Sequence, residues 1–116
     1  MYLVFTASKD TYITNKIIGG VRRATDGNVG YASTIDMFKL HNESQLAGSS
    51  GDVQEISRGL LYFDLSQLKT AVELKASSTH SSLKIKLQLQ DVQGTQVAPS
   101  NFTLQLYAVG AAWDEG

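Results

Sequence analysis

The sequence predicts an all-β fold, an antiparallel sandwich of the jelly-roll kind, from strand alternation, frequent turn residues and little helix signal. In LKIKLQLQ at residues 83–90, apolar side chains occupy every odd position and Lys or Gln every even one. A β-strand sends successive side chains to opposite faces, so this run predicts a strand with one buried and one solvated face. FTLQLYAV at 102–109 alternates in the same way. Strands of this kind are typical of antiparallel sheets that pack one face on a second sheet.

The earlier elements follow from β-branched and aromatic runs separated by turn residues. YLVFT at 2–6 and TYIT at 11–14 predict strands, and the glycine-rich stretch at 15–33 predicts loop. TIDMFKL at 34–40 predicts a strand whose apolar parity changes between Met37 and Phe38, as at a bulge or in a strand buried on both faces. The loop at 41–52 is polar, and loops of such length are often functional or mobile.

EISRGLLYFDL at 55–65 is the most hydrophobic strand candidate, so we expect it at the centre of a sheet. Phe63 and Leu65 are expected in the core. A short helix near 66–75, capped by Ser66 and ending at Ser77 and Ser78, is predicted next. Several short strands with one short helix indicate a single sandwich domain over residues 1–116.

Composition excludes several classes of function. The chain has no cysteine, which excludes disulfides, thiol catalysis and thiolate metal sites. A net charge of −1 gives no attraction to nucleic acid or to anionic lipid. No run approaches the about 20 apolar residues that span a bilayer, and the first residues do not resemble a signal peptide. We therefore expect neither a nucleic-acid nor a membrane partner.

Catalytic motifs are missing from the sequence, so we expect no enzyme. His41 and His80 are the only histidines, both in polar segments without metal-ligand spacing. The carboxylates are scattered, and turn or cap chemistry is the favoured interpretation of each. We expect no cofactor; a calcium ion held by loop carboxylates is the alternative. Aromatic side chains that contact a glycan or a protein partner are expected among Tyr31, Tyr107 and Trp113.

Four segments carry a resemblance to a known family: SKDTYITN, DGNVG, SRGLLYFDLSQL and LQLYAVGAAWDEG. They resemble the DNRLRE-type β-sandwich modules, which are similar to carbohydrate-binding modules, over nearly the whole chain. The most specific piece is R-x-L-L-x-F-D-L-S, here beginning at Arg58 and including Phe63 and Asp64; Asp10 belongs to the early D-T-Y strand. FTASKDTYITNKII, TIDMFKL and APSNFTL look similar to the variant in structural proteins of tailed-bacteriophage virions.

The resemblance implies a structural role for Asp10, Arg58, Phe63 and Asp64, and two alternative functions. The first is a non-enzymatic virion component in the capsid, neck or tail, assembled in the host cytoplasm with other virion proteins or with copies of itself. The second is a module that binds polysaccharide, such as that of a host surface, for a larger protein. More strand follows the W-x-E segment in the family, so we expect either a truncated chain or a sandwich that a partner completes through strand-edge pairing.

Overall fold

The computed structural model describes residues 2–25, 27–74, 84–92 and 101–116. Six strands and one helix lie in these ranges: β1 Lys9–Thr14, β2 Ile17–Ile18, β3 Arg22–Arg23, β4 Gly27–Asn28, β5 Lys39–His41, β6 Gln54–Tyr62 and α1 Ser66–Leu74. Four strands form one antiparallel sheet in the order β4-β1-β6-β5, and β2 and β3 form a separate antiparallel pair. The predicted antiparallel β fold with one short helix is therefore confirmed at this coarse level.

The two long strands, β1 and β6, form the centre of the sheet. Their register pairs Thr11 with Leu60 and Ile13 with Arg58. The β-branched and aromatic residues of β1 suit this pleated geometry, and the central position predicted for residues 55–65 is confirmed for β6. Alternation then gives the sheet two faces, one with Thr11, Ile13 and Leu60 and the other with Tyr12 and Gly59.

The face of the sheet that carries Gly59 is crossed by residues 35–38. A Cβ atom placed on Gly59 would lie 3.3 Å from Cγ2 of Ile35 and 3.4 Å from Cε of Met37, so these side chains pack directly on the strand. Phe38 donates its N–H to Oγ of Ser57 at 2.8 Å, which fixes the crossing segment. The strand predicted over 34–40 is wrong for its first five residues, because they lie across this face and only Lys39–His41 pairs in the sheet.

The β2–β3 pair is a hairpin closed by a glycine turn. Gly19 and Gly20 have φ angles of +58° and +72°, a region that glycine occupies without the cost that a Cβ atom imposes. Val21 donates its N–H to the carbonyl of Ile18 at 3.1 Å and closes the turn. Apart from these short strands, residues 15–33 lie mostly in loops and turns, as predicted.

Three predicted strands are not formed. Residues 2–6, 84–90 and 102–109 contain no strand in the structure, although each segment is apolar or alternates. A strand is stabilised only through a neighbour that accepts its ladder hydrogen bonds, and no such neighbour is present in the described part of the chain. Leu83, which begins the alternating run at 83–90, lies outside the described residues.

The helix α1 begins at Ser66, but Ser66 is not its cap. Lys69 donates its N–H to the carbonyl of Leu65 at 3.0 Å, which makes Leu65 the flanking residue. The described helix ends at Leu74; the predicted end at residues 75–78, His80 and the proline-containing turn at 93–100 lie outside the described residues. Among the described segments, no helix has the length and apolar character that crossing a membrane requires.

Candidate interaction surface

Burial in the described residues is slight and mostly polar. Val53 is the one buried apolar side chain, with 7% of its surface exposed, whereas Thr11 and Glu55 are each 2% exposed. Large apolar side chains lie at the surface instead, among them Ile85, Leu106 and Tyr107 at 82%, 73% and 79% exposure. Contiguous exposed apolar surface is unusual in a folded monomer, so these segments are the candidate interaction surface.

Three of the four sequence segments that suggested a family resemblance meet at the β1–β4 edge of the sheet. Asp10 donates its N–H to Oε1 of Glu115 at 3.1 Å, and Asn28 donates its side-chain amide to the carbonyl of Asp114 at 2.7 Å. The hydroxyl of buried Thr11 donates to Oδ1 of Asn28. We call this cluster of Asp10, Thr11, Asn28, Gly30 and residues 114–116 the edge clamp.

Gly30 is required in the edge clamp because the chain passes against its Cα atom. A Cβ atom at Gly30 would overlap the carbonyl oxygen of Glu115, which no side chain tolerates. Asp10 therefore acts through its backbone, and its exposed carboxylate makes none of these contacts. The clamp therefore holds residues 114–116 beside β1 and β4.

Glu55 ties the β2–β3 hairpin to the sheet from a buried position. Its Oε2 accepts the N–H of Ile17 at 2.9 Å. That hydrogen bond holds the pKa of Glu55 below its usual value, with smaller contributions from Ser44, Lys16 and Arg23, against the opposing effect of burial. The carboxylate is therefore ionised at neutral pH and has partners for its charge, as a buried carboxylate requires.

Arg23 adds a second tie between the hairpin and β6. Its Nη1 donates to the carbonyl of Gln54 at 2.8 Å and to the carbonyl of Asn15 at 3.3 Å. Asn15 in turn accepts the N–H of Ile56 through Oδ1 at 2.8 Å. The hairpin is thus held by polar contacts to backbone groups rather than by an apolar core.

The polar loop at 41–52 is closed on itself beside β5. His41 lies 3.6 Å from Asp52, and Asn42 donates its side-chain amide to the same carboxylate at 3.2 Å. Asn42 also accepts the N–H of Val53 at 2.7 Å, with a φ of +57° that Asn tolerates. His41 is exposed at the end of β5, so it takes part in a loop contact rather than a buried site. No group of three or more His, Cys, Asp or Glu side chains that would suit a metal ion occurs among the described residues.

The aromatic residues predicted to contact a glycan or a protein partner differ in exposure. The exposed fractions of Tyr31 and Tyr107 are 95% and 79%. Trp113, which directly precedes residues 114–116 of the edge clamp, is half-buried. Tyr107 donates its hydroxyl to Oε1 of Gln105 at 2.7 Å, a local contact along its own segment. Tyr12 reaches Oδ2 of Asp36 at 3.5 Å, and burial together with that carboxylate raises its pKa.

The remaining residues of the R-x-L-L-x-F-D-L-S motif lie on the strand β6 and at the turn into the helix α1. Arg58 is exposed on β6 opposite Ile13, where it lines a cleft of about 460 Å³ with Thr25 and Asn28. Asp64 accepts the N–H of Ser66 at 3.0 Å, and this bond lowers the pKa of Asp64. Phe63 is half-buried, but Leu65 is 47% exposed, so its predicted core position is wrong: the chain turns at Asp64 into the helix.

The sequence analysis did not identify Glu55, and it singled out Asn28 and Gly30 only as members of the DGNVG segment, without their partners. The sequence did carry a signal for Glu55, because alternation along the strand places its carboxylate on the same face as Ser57 and the apolar Leu61. The contacts of Asn28 and Gly30 could not be predicted, since their partners follow more than 80 residues later in the chain.

Comparisons with known proteins give the chain no relative. No family model, no curated protein and no solved structure matches it.

Proposed function

We propose that the protein is a non-enzymatic structural component of a tailed-phage virion, assembled in the host cytoplasm. Its β-sandwich or jelly roll is completed by contact with neighbouring chains of the particle. The observation that carries this proposal is the exposure of apolar side chains in segments whose sequence alternates like a strand. Ile85, Leu89, Phe102, Leu104 and Leu106 are between 47% and 82% exposed.

Covering these apolar side chains would stabilise the assembly. Association buries apolar surface with a gain of roughly 25 cal/mol per Å², so neighbouring chains would stabilise the fold. The sequence resemblance to structural proteins of tailed-phage virions is the reason for proposing a phage particle as the assembly.

The test is incorporation into particles of a phage that encodes the chain. A phage that lacks the gene is complemented with wild-type protein, Ile85→Asp or Gln88→Asp, and purified particles are analysed by mass spectrometry. Both variants add one negative charge to the same segment, but only Ile85→Asp places it among the alternating apolar positions. We expect at least a tenfold loss of incorporation for Ile85→Asp alone. Wild-type particles without the chain, or equal incorporation of both variants, would contradict the proposal.

The second candidate function is polysaccharide binding by a module of a larger protein. The exposure of Tyr31, at 95%, favours it, because an uncovered aromatic ring suits the apolar face of a sugar. Titration against a broad glycan array is expected to show saturable binding that Tyr31→Ala abolishes. Tyr2→Ala is the matched control, since Tyr2 is also 97% exposed. Flat titrations of the wild type would exclude this candidate.

A further inference from the structure

The outer side of β5 is an open sheet edge. The carbonyl of Phe38 accepts the N–H of Ser57 at 3.0 Å, and Asn42 donates its N–H to the carbonyl of Val53 at 2.7 Å. Because backbone groups alternate sides along a strand, Lys39 and His41 direct their N–H and C=O groups away from β6. Within the described ranges, no backbone hydrogen bond reaches these outward groups. We call this side the β5 edge.

The opposite edge of the sheet has residues 114–116 beside it. Glu115 accepts the outward N–H of Asp10 in β1, and Asp114 accepts the side-chain amide of Asn28 in β4. A strand that adds to the described four-stranded sheet therefore meets residues 114–116 on the β4 side, whereas no backbone hydrogen bond within the described ranges reaches the outward groups of β5.

Residues 102–109 have the properties of a strand that could add to the β5 edge. Phe102, Leu104 and Leu106 alternate with polar or smaller positions, and these three side chains are 58%, 47% and 73% exposed. The segment contains no charged residue and no proline. Segments of this composition pair readily with exposed sheet edges.

Charge distinguishes this segment from the other alternating one. Strand addition at the β5 edge places the new side chains beside Lys39 and His41. Residues 84–90 would bring Lys84 and Lys86 next to Lys39, and like charges on neighbouring strands are destabilising. Residues 102–109 bring no charge, so they are the better complement.

The position of the edge clamp makes pairing within one chain unfavourable. An added strand lies one spacing beyond β5 and so four strand spacings from β4, a distance of about 19 Å. Only residues 110–113 separate the segment from the clamp, and the five Cα–Cα steps from residue 109 to Asp114 span at most about 18 Å when fully extended. The same segment reaches the β5 edge of another copy without any such stretching.

We propose that residues 102–109 of one copy add as a strand to the β5 edge of a second copy, and that reciprocal addition closes a two-fold dimer. This proposal rests on the proposed assembly function and names its partner. Each copy then donates the strand at 102–109 and accepts the same strand from its partner at the β5 edge.

Proline substitutions test each half of the interaction. Lys39→Pro removes an outward N–H that the chain itself does not use, and its ring obstructs an added strand. Leu104→Pro disrupts the donor segment in the same way, and Lys39→Thr is the control that keeps the N–H. Sedimentation equilibrium is expected to show dimers for wild type and Lys39→Thr, and at least a tenfold weaker association for each proline variant.

Mixing the two proline variants distinguishes strand addition from general misfolding. One variant retains the donor segment and the other retains the β5 edge, so their mixture is expected to form a heterodimer that neither forms alone. A monomeric wild type at all concentrations, proline variants that dimerise normally, or a mixture that stays monomeric would overturn the proposal.

A cross-linking measurement provides evidence that does not depend on these variants. A photoreactive amino acid replaces His41 in a mixture of ¹⁴N and ¹⁵N chains, and cross-links are mapped by mass spectrometry. Mixed-isotope links to residues 102–109 are expected, and links confined to one chain or to other regions would contradict the exchange. The virion proposal fails separately, through absence of the chain from particles, and it survives if the particle contains the chain but no dimer forms.

Discussion

Glu55 shows how a single buried carboxylate links stability to pH. Its pKa is lowered mainly by the N–H of Ile17, so the folded state binds the proton less tightly than the unfolded state. The stabilisation is therefore present above the unfolded pKa of about 4.3 and is lost as pH falls through the folded value.

Replacement of Glu55 by Gln is expected to remove this contribution. At neutral pH the free energy of unfolding should fall by about 1–3 kcal/mol, because a buried acceptor loses its charge. The variant should also show a weaker loss of stability on acidification. Urea denaturation between pH 3 and pH 7 measures both effects. Glu43→Gln in the exposed loop is the control, and an equal effect of both substitutions would contradict the role of Glu55.

Asp64 stabilises the first turn of α1 because its carboxylate Oδ1 accepts the N–H of Ser66. Carboxylates near a helix N-terminus also interact favourably with the helix dipole. Asp64→Ala is expected to increase amide exchange over residues 66–70 several-fold, whereas Asp64→Asn retains the acceptor and should change it less. Hydrogen exchange followed by mass spectrometry measures this, and unchanged exchange in the alanine variant would contradict the assignment.

Among the elements, the edge clamp depends on the absence of a side chain at Gly30. Gly30→Ala should displace residues 114–116 from β4, because a Cβ atom would overlap the carbonyl of Glu115. Trp113, the single tryptophan, reports on the segment, so we expect a red shift of its fluorescence and faster exchange at Asp10. Gly110→Ala is the control, since a Cβ atom there meets nothing within 4 Å. Equal spectra for both variants would show that the clamp does not form.

The elements that the sequence predicted correctly carry their signal locally. TYIT of β1, the hydrophobic run of β6 and the start of α1 are each recognisable from propensity and alternation over fewer than ten residues. Residues 84–90 and 102–109 carry an equally clear alternation but form no strand, because strand formation depends on a partner as well as on the pattern. The clamp could not be predicted, since Asn28 and Asp114 are brought together only by the tertiary fold.

For the molecule as a whole, we expect apolar segments that are exposed in the isolated chain to become protected on assembly. Amide exchange over residues 102–109 should slow at least tenfold between dilute chain and assembled protein. Exchange over β6 should change much less, because its ladder with β1 is already formed. Equal protection of 102–109 in both states would mean that this segment does not take part in assembly.

An electron-microscopy map of the source particle is the decisive measurement of this assembly, since it shows what lies against each copy. We expect density for the chain in the particle, with residues 102–109 of one copy hydrogen-bonded beside Lys39–His41 of a neighbouring copy. A particle without the chain, or a map in which each copy buries its own residues 102–109 without a neighbour, would contradict it.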